Sequence, residues 1–311
     1  MHKGRRLLMD LKKAILLIST YNGETYLPAM LDSVVAQTYK NLEVYIRDDG
    51  SSDNTATILQ KYEAKYENIH IMQGEKNLGY PACFYYLTDH APKGDYYFFA
   101  DQDDVWFPDK VSRAVERLSK EPEGPLAYYA GYIVCDSDLN KVDESPKVHK
   151  EIKFKDTLYE VCGLEFTMAI NREAMELLNQ NKPTFSSARG VWMSMLFSGL
   201  GRIIYDNQPC AYYRRHESAV TSSSMKGLGL WIWRIKNFFK GDGASGYRDI
   251  LTDFCETVGP KLKEKDYKAI KLFARRKYFP YAFLKTFYPK RLRRGFMEEL
   301  ALRVTFLINK F

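Results

Sequence analysis

The stretch Tyr96-Tyr-Phe-Phe-Ala-Asp-Gln-Asp-Asp-Val-Trp106 joins a short apolar run directly to a cluster of three aspartates. Its apolar, aromatic-rich first half predicts a buried strand. Three carboxylates within four residues repel one another unless a cation neutralises them, and Mn²⁺ and Mg²⁺ prefer such oxygen ligands. The stretch therefore predicts a strand whose carboxyl end holds a divalent metal and a diphosphate. The alternative is that these aspartates stabilise a turn or cap the helix that follows.

Strand and helix signals alternate along the first 120 residues. Three more short apolar strands are predicted before this stretch, at residues 14–18, 42–46 and 69–71, with helical spacing of apolar residues between them. Strands that alternate with helices form right-handed βαβ units and a parallel sheet. After residue 125 the pattern is mixed, with strands at 126–135, 166–170, 203–205 and 210–213 and helices at 172–179 and 191–200. We therefore expect an α/β fold with a mostly parallel, Rossmann-like sheet flanked by helices.

Carboxylates also follow the second predicted strand, in Arg47-Asp-Asp-Gly-Ser-Ser-Asp53. Because parallel strands bring their carboxyl ends to one edge of the sheet, where such folds bind ligands, these carboxylates are expected near those of the fourth strand. Asp-Gly-Ser-Ser is also good turn sequence, so a purely structural use of Asp48 and Asp49 remains open. Either Ser52 or Asp53 can cap the helix that follows.

The net charge of +7 hides two oppositely charged parts. Residues 226–311 contain 20 basic and 8 acidic residues, and residues 1–225 contain 26 basic and 31 acidic ones. The polar, Ser- and Gly-rich stretch 217–229 is the predicted boundary. We expect one domain over residues 1–221 and a helical extension, rich in basic and aromatic residues, over residues 222–311.

The cysteines and the apolar runs indicate a cytoplasmic protein. The five cysteines are an odd number, widely spaced and without a C-x-x-C pair, which argues against a disulfide framework and a zinc site. The basic N-terminus lacks the features of a signal peptide. No stretch reaches the roughly 18 uncharged apolar residues of a membrane span.

Five motifs occur in order with a familiar spacing: Ser19-Thr-Tyr-Asn22, Gln37-Thr-Tyr39, Asp48-Asp-Gly-Ser-Ser-Asp53, Asn77-Leu-Gly79 and Asp101-Gln-Asp-Asp-Val-Trp106. The set resembles family 2 glycosyltransferases of the GT-A fold. Two later motifs, Leu200-Gly-Arg-Ile-Ile-Tyr205 and Tyr213-Arg-Arg-His216, resemble the rhamnosyltransferase-like branch, which builds capsule, O-antigen or cell-wall polysaccharide. The resemblance covers about residues 12–221 and implies inverting transfer of rhamnose or another hexose from a dTDP- or UDP-sugar.

The resemblance also implies roles for single residues. Asp48 or Asp49 would accept a hydrogen bond from the uracil or thymine ring, and Asp101 would face the ribose. Asp101, Asp103 and His216 would hold Mn²⁺ or Mg²⁺, and Trp106 would pack in the core or lie beside the sugar. The other residues implied on the nucleotide-sugar side are Thr20, Tyr21, Asn22, Asn77, Gly79, Gln102 and Arg214.

The usual catalytic base is the one part that the resemblance does not supply. In this branch it is an aspartate in a His-Asp-Trp-Trp-type segment, which aligns with Arg189-Gly-Val-Trp192. The aspartate position falls on Gly190, which has no side chain to accept a proton, and Trp192 is retained on the acceptor side. Glu165, in Cys162-Gly-Leu-Glu-Phe-Thr-Met168, is the candidate replacement. A non-catalytic nucleotide-sugar-binding or scaffold protein is the alternative.

The basic and aromatic tail predicts a partner surface. Residues 228–240 combine two Trp, two Phe and three cations, and residues 275–294 repeat the theme. This composition is typical of an interfacial membrane helix, so we expect a peripheral position on the inner face of the cell membrane and a polyprenyl-linked glycan acceptor there. A homodimer interface is the alternative. No nucleic-acid-binding module is recognised.

Overall fold

The computed structural model describes residues 11–72, 74, 76–184, 189–215, 243–275 and 279–308. The chain divides into two compact units. The first comprises Met1–Glu151, Gly163–Gln180 and Gly201–Arg215, and the second comprises Ile152–Cys162, Asn181–Leu200 and His216–Phe311. The second unit therefore includes two segments that precede residue 221, the domain boundary expected from the sequence.

The first unit is built on one twisted sheet that begins with four parallel strands. These are β1 (Ala14–Thr20), β2 (Leu42–Asp48), β3 (Ile69–Met72) and β4 (Tyr96–Ala100), in the spatial order β3-β2-β1-β4. Thr20 pairs in register with Asp48, and Ile18 pairs with Ala100. The carboxyl ends of β1, β2 and β4 therefore meet at one edge, as predicted.

The sheet continues from β4 with mixed strand directions. Its further strands are β5 (Val105–Trp106), β6 (Leu126–Cys135), β7 (Lys141–Glu144), β8 (Ala169–Asn171) and β9 (Arg202–Arg214). The order is β4-β8-β6-β9-β5, with β7 paired to β6, and among these strands only the β6–β9 pair is parallel in the described part of the chain. The α/β fold is confirmed, with its parallel part confined to the first four strands and the β6–β9 pair.

Two strand predictions need correction. The predicted strands 203–205 and 210–213 form one strand, β9, because a shift in register opposite Gly131 accommodates Asn207 and Gln208 before Pro209. The predicted strand 166–170 begins instead as the 3₁₀ turn Glu165–Thr167. Both the backbone N–H and the hydroxyl of Thr167 donate to the Leu164 carbonyl, at 3.0 and 2.7 Å, which favours the turn over the strand.

Five helices of the first unit pack their apolar faces on the sheet. They are α1 (Leu27–Val35), α2 (Thr55–Lys65), α3 (Ala82–His90), α4 (Lys110–Ser119) and α5 (Arg172–Gln180). In α1 the apolar residues at i, i+3, i+4 and i+7 from Leu27 are all buried. Asp53 accepts the backbone N–H of Thr55 at 3.0 Å, which satisfies a donor at the start of α2.

The second unit is helical in its described residues. It contains α6 (Arg189–Leu200), α7 (Gly243–Thr257), α8 (Glu264–Ala274), α9 (Phe279–Thr286) and α10 (Phe296–Leu307). Aromatic rings fill its core: Trp192 meets Phe254 edge to face with centroids 5.0 Å apart, and Tyr159 lies among Tyr247, Phe273 and Phe306. Among the described helices, none is long and apolar enough to cross a membrane.

Candidate functional site

The ends of β1 and β2 are tied together by side-chain hydrogen bonds. The hydroxyl of Thr20 donates to Asp48 Oδ1 at 2.8 Å, and the backbone N–H of Ser51 donates to Asp48 Oδ2 at 2.9 Å. Asn22, in a left-handed conformation with φ of 47°, accepts the backbone N–H of Ser52 at 2.8 Å. These bonds fix the backbone at the edge where the motifs of β1 and β2 meet.

Asp49 is buried and ties β2 to the loop that carries Asn77 and Gly79. Its carboxylate forms an ion pair with Arg47 and accepts the backbone N–H groups of Leu78 and Gly79 at 2.9 and 2.7 Å. Burial opposes ionisation, but these hydrogen bonds and the guanidinium outweigh it and hold the pKa of Asp49 below its ordinary value. Asp49 is therefore a charged structural link at this edge as well as a candidate ligand of the base.

Replacing Asp49 by asparagine should destabilise the first unit. The change leaves Arg47 buried without its charge partner, so we expect the free energy of unfolding at pH 7 to fall by about 2–4 kcal/mol. Because the folded-state pKa of Asp49 is lowered, its contribution is present at neutral pH and is lost as the pH falls below about 4. Denaturant titrations of both proteins at several pH values should therefore converge in acid. Asp138→Asn, at an exposed position, is the control and should leave stability unchanged.

Gln102 connects the aspartate-rich loop after β4 to the end of β1. Its side-chain oxygen accepts the backbone N–H of Tyr21 at 2.8 Å, and its side-chain nitrogen donates to the Tyr21 carbonyl at 3.0 Å. The absence of a side chain at Gly23 makes room for this amide, since a Cβ there would lie 2.4 Å from Gln102 Oε1. Tyr21 itself is half exposed. The two loops therefore form one connected surface.

Asp104, at the end of that loop, and Lys110, at the start of α4, are both buried. Burial first, and the charges of Asp101 and Asp103 next, raise the pKa of Asp104 well above its ordinary value. Neither of its carboxylate oxygens accepts a hydrogen bond of normal geometry from the described residues, although the backbone N–H of Arg214 slightly favours the charged form. Burial lowers the pKa of Lys110 to about 8, and the nearby anionic groups limit that shift.

Arg214 holds the same loop from β9. Its Nε donates to the carbonyl oxygen of Asp103 at 3.1 Å, another guanidinium nitrogen donates to the Ser137 carbonyl, and the guanidinium lies 4.6 Å from the ring centroid of Tyr26. Arg214 is almost fully buried. In this structure it fixes the backbone on which the Asp103 carboxylate stands.

These carboxylates suit a cation shared with a bound ligand better than a cation held by protein alone. Among the described residues, no group of three or more His, Cys, Asp or Glu is arranged as a set of metal ligands. Asp101 and Asp103 are half-buried, and both raise the pKa of Asp104 through their charges, so the three carboxylates repel one another. Mg²⁺ commonly takes only one or two protein carboxylates and completes its shell with phosphate oxygens and water. Asp101 and Asp103 fit that arrangement, and His216 lies outside the described residues.

Glu165 lies in the first unit with the donor-side candidates. It is half-buried in the 3₁₀ turn Glu165–Thr167, and the Tyr80 hydroxyl donates to its Oε1 at 3.3 Å. Lys110 Nζ donates to the neighbouring Phe166 carbonyl at 2.5 Å and lies 3.3 Å from the ring centroid of Trp106. The turn is therefore braced by the side chain of the first residue of α4.

Trp106, expected either in the core or beside the sugar, and Trp192, expected on the acceptor side, are both core residues. Trp106 is buried against Phe98, and Trp192 is buried in the second unit, where its Nε1 donates to the Asn181 carbonyl at 2.7 Å. Any influence of either ring on an acceptor would therefore act through the packing of its neighbours. Gly190 is the second residue of α6.

Sequence reasoning missed two structural residues of the site, Arg47 and Lys110. A signal for Lys110 was present, because it lies four residues before Ala114 and eight before Leu118, both on the buried face of α4. Nothing comparable distinguished Arg47, which follows a strand residue and precedes two aspartates. Its partner Asp49 is two positions away, and its bond to the Lys76 carbonyl at 2.6 Å arises only from the fold.

Comparisons with known proteins indicate the family of the chain. The model of glycosyl transferase family 2 matches residues 15–178, more than half of the chain. TuaG of Bacillus subtilis, named as a teichuronic acid biosynthesis glycosyltransferase, is 28% identical over 209 residues, which cover 67% of this chain and 81% of TuaG. RfbG of Shigella flexneri, a dTDP-rhamnosyl transferase, is 27% identical over 235 residues, which cover 68% of this chain and 78% of RfbG.

The fold is also found among solved structures. The crystal structure of S. aureus TarS residues 1–349 in complex with UDP-GlcNAc superposes with a TM-score of 0.59 at 16% sequence identity, covering 96% of this chain and 80% of that one. At this identity the likeness concerns the fold, and it confirms the expected GT-A architecture.

Proposed function

The chain belongs to glycosyl transferase family 2, and from this we propose that it transfers rhamnose or another hexose, with inversion, from a dTDP- or UDP-sugar to a lipid-linked glycan. The observation that carries the proposal is the edge of the sheet where hydrogen bonds join the motif residues in pairs: Thr20 to Asp48, Gly79 to Asp49, and Tyr21 to Gln102 of the aspartate-rich loop after β4. The names of RfbG and TuaG support a donor with an activated sugar and a polysaccharide product.

On the donor side, each group has a proposed task. Asp48 or Asp49 accepts the ring N–H of uracil or thymine, since that edge of the base presents a donor. Thr20, Tyr21 and Asn22 line the nucleotide pocket from β1. The others proposed here are Asn77 and Gly79 near the ribose or diphosphate, Asp101 at the ribose, and Gln102 and Arg214, which hold the loop backbone in place.

On the acceptor side, Glu165 is proposed as the base. Its carboxylate takes the proton of the acceptor hydroxyl while the hydroxyl oxygen bonds to the anomeric carbon. The bond from that carbon to the diphosphate oxygen breaks in the same step, and the nucleoside diphosphate leaves with the electron pair. Tyr80, which donates to Glu165, orients the carboxylate.

Asp101 and Asp103 are the residues proposed to hold Mn²⁺ or Mg²⁺, with His216 as a further ligand. When bound, such an ion would offset the negative charge of the leaving diphosphate. Arg214 and Gln102 hold the loop that carries these carboxylates in place before the donor binds. The loop therefore does not have to reorganise when the donor arrives.

A donor screen tests the proposal. The full chain is incubated with each UDP-sugar and with dTDP-rhamnose, with Mn²⁺, with Mg²⁺ or with EDTA, and released nucleotide is measured in the presence of polyprenyl-linked glycans. We expect release with one donor class and a loss of at least about tenfold when EDTA removes the metal. Equal turnover with EDTA and with added metal would contradict the metal requirement. Absence of turnover with every donor would contradict the proposed transferase activity.

Gly190 favours a second function, that of a nucleotide-sugar-binding or scaffold protein in a polysaccharide-assembly complex. Calorimetry of donor binding, combined with an assay of sugar transfer, distinguishes the two functions. Donor binding with no transfer to any acceptor supports the scaffold, whereas transfer that is lost in Glu165→Gln with donor binding retained supports the enzyme.

A further inference from the structure

Two helices of the second unit place their apolar side chains outward. Fourteen large apolar or aromatic side chains are exposed among the described residues, and nine of them lie between residues 283 and 308. We call this set the α9–α10 face: Phe283, Leu284, Phe287, Phe296, Met297, Leu300, Val304, Leu307 and Ile308. Phe296 is 72% exposed and Phe287 63% exposed. Apolar patches of this kind are rare on monomeric soluble proteins and mark contact surfaces.

The four charged side chains of the same two helices all have partners within the protein. On α10, Glu299 is buried and accepts the backbone N–H groups of Leu292 and Arg293 at 2.9 and 2.8 Å. Arg303 pairs with Glu299 at 2.5 Å and reaches the end of α9, where it donates to the Thr286 carbonyl at 2.8 Å. Glu299 and Arg303 therefore find their partners inside the protein.

Helix α9 repeats the arrangement. Lys285 is buried, and its Nζ donates to the Arg275 carbonyl at 2.9 Å, whereas Phe283, Leu284 and Phe287 are exposed. A surface helix in water has apolar residues on its inner side and charged residues on its outer side. Helix α10 buries Leu302 and Phe306 and also exposes apolar residues, so it is apolar on both sides. This composition indicates that the outer medium of the α9–α10 face is apolar.

The charges around the α9–α10 face favour a lipid surface over a second protein as its partner. Residues 279–308 contain six basic and two acidic residues. One acidic residue, Glu299, is paired inside with Arg303, and the other, Glu298, lies 3.6 Å from Arg293. Lys290 and Arg291, between the two helices, are exposed, whereas Arg294 pairs with Glu160 at 3.4 Å. Cations beside an apolar helical face match anionic headgroups above acyl chains, and the described helices are too short or too polar to span.

We propose that the α9–α10 face is a monotopic docking surface that inserts into the headgroup region of an anionic lipid bilayer. The inference goes beyond the proposed function, and it names the residues that would make the membrane contact expected from the sequence. It does not depend on sugar transfer, because docking is measured without donor. Protein–protein interfaces ordinarily mix apolar and polar side chains with about ten hydrogen bonds, and the side chains of this face offer none.

Vesicle flotation of the full chain tests the proposal. The probe is phosphatidylcholine vesicles with and without phosphatidylglycerol, at low and high salt. We expect the protein to float with the anionic vesicles, and to float less with neutral vesicles or at high salt. Leu300→Gln/Val304→Gln removes two exposed apolar groups and should weaken binding about tenfold or more.

A matched pair of substitutions keeps the test specific. Leu300 and Val304 are 49% and 45% exposed, and Leu11 and Val142 in the first unit are 37% and 46% exposed. Leu11→Gln/Val142→Gln should therefore float like the unmodified protein. Both double variants should unfold at the original temperature, since exposed positions contribute little to stability.

Three results would overturn the proposal. The first is an unmodified protein that stays unbound with anionic vesicles, and the second is equal loss of flotation in both double variants. The third is sedimentation without vesicles that shows a dimer dissociated by Leu300→Gln/Val304→Gln together with no flotation, which would assign the face to a second copy of the chain. Loss of donor turnover alone would leave docking standing and would count against the proposed function.

Discussion

Replacing Asp103 by asparagine is expected to lower nucleotide release by about 10²–10³-fold, the loss usual when one preorganised electrostatic group is removed from an active site. The proposed task of Asp103 is to hold the cation that offsets the charge of the leaving diphosphate. Asparagine keeps the size of the side chain and removes its charge. The loop should stay in place, because Arg214 binds the backbone carbonyl of Asp103, which the substitution leaves unchanged.

The neighbouring Asp104 provides the matched comparison. Burial and the adjacent carboxylates raise its pKa and so favour its neutral form, which asparagine resembles. Asp104→Asn should therefore lose much less activity than Asp103→Asn, and the exposed Asp143→Asn should lose none. Nucleotide release and calorimetric binding of UDP, each with Mn²⁺ and with EDTA, are the measurements. A larger loss in Asp104→Asn than in Asp103→Asn would show that the roles within the cluster are assigned to the wrong residues.

Glu165→Gln is expected to lower kcat by about 10²–10⁴-fold while the KM for the donor changes by less than about threefold. Glutamine keeps the side-chain oxygen that accepts the Tyr80 hydroxyl but cannot take a proton from the acceptor. The loss should therefore appear in the chemical step and leave donor binding intact. Single-turnover transfer and donor calorimetry separate these two quantities.

Glu173→Gln is the control for that substitution, since Glu173 is an exposed carboxylate on α5 of the same unit. It should leave kcat and KM unchanged. If Glu165→Gln retains full activity while Asp103→Asn does not, the chain is an enzyme whose base lies elsewhere. If neither substitution affects any measurable transfer, the scaffold function suggested by Gly190 gains support.

The first half of the fold was predictable because local sequence and tertiary environment agree there. Continuous apolar runs such as 14–18 and 96–100 suit strands covered on both faces, and β1 and β4 are buried along nearly their whole length. The later sheet was predicted less well. The turn at Glu165–Thr167 and the continuous strand β9 depend on a local hydroxyl bond and on a shift in register, which apolar periodicity does not report.

The candidate site was predicted as a set of residues and less completely as a set of contacts. The sequence supplied the carboxylates and their place at strand ends, because a parallel sheet brings those ends together. It did not show that Asp49 is bound by Arg47 and two backbone N–H groups, or that Lys110 braces the turn beside Glu165. Apart from the Arg47–Asp49 pair, these contacts join residues that are distant along the chain, so no local pattern encodes them.

By itself, the sequence determined the family, the α/β architecture and the opposite charges of the body and the tail, because these depend on composition, periodicity and motif spacing. Only the tertiary structure decided which side of each C-terminal helix faces outward. Periodicity shows that α10 has an apolar stripe, but not what covers it. In this protein Arg303 and Glu299 satisfy each other and nearby backbone groups inside, on the same side as the buried Phe306. The remaining apolar residues of α10, such as Phe296 and Leu300, are therefore left outside.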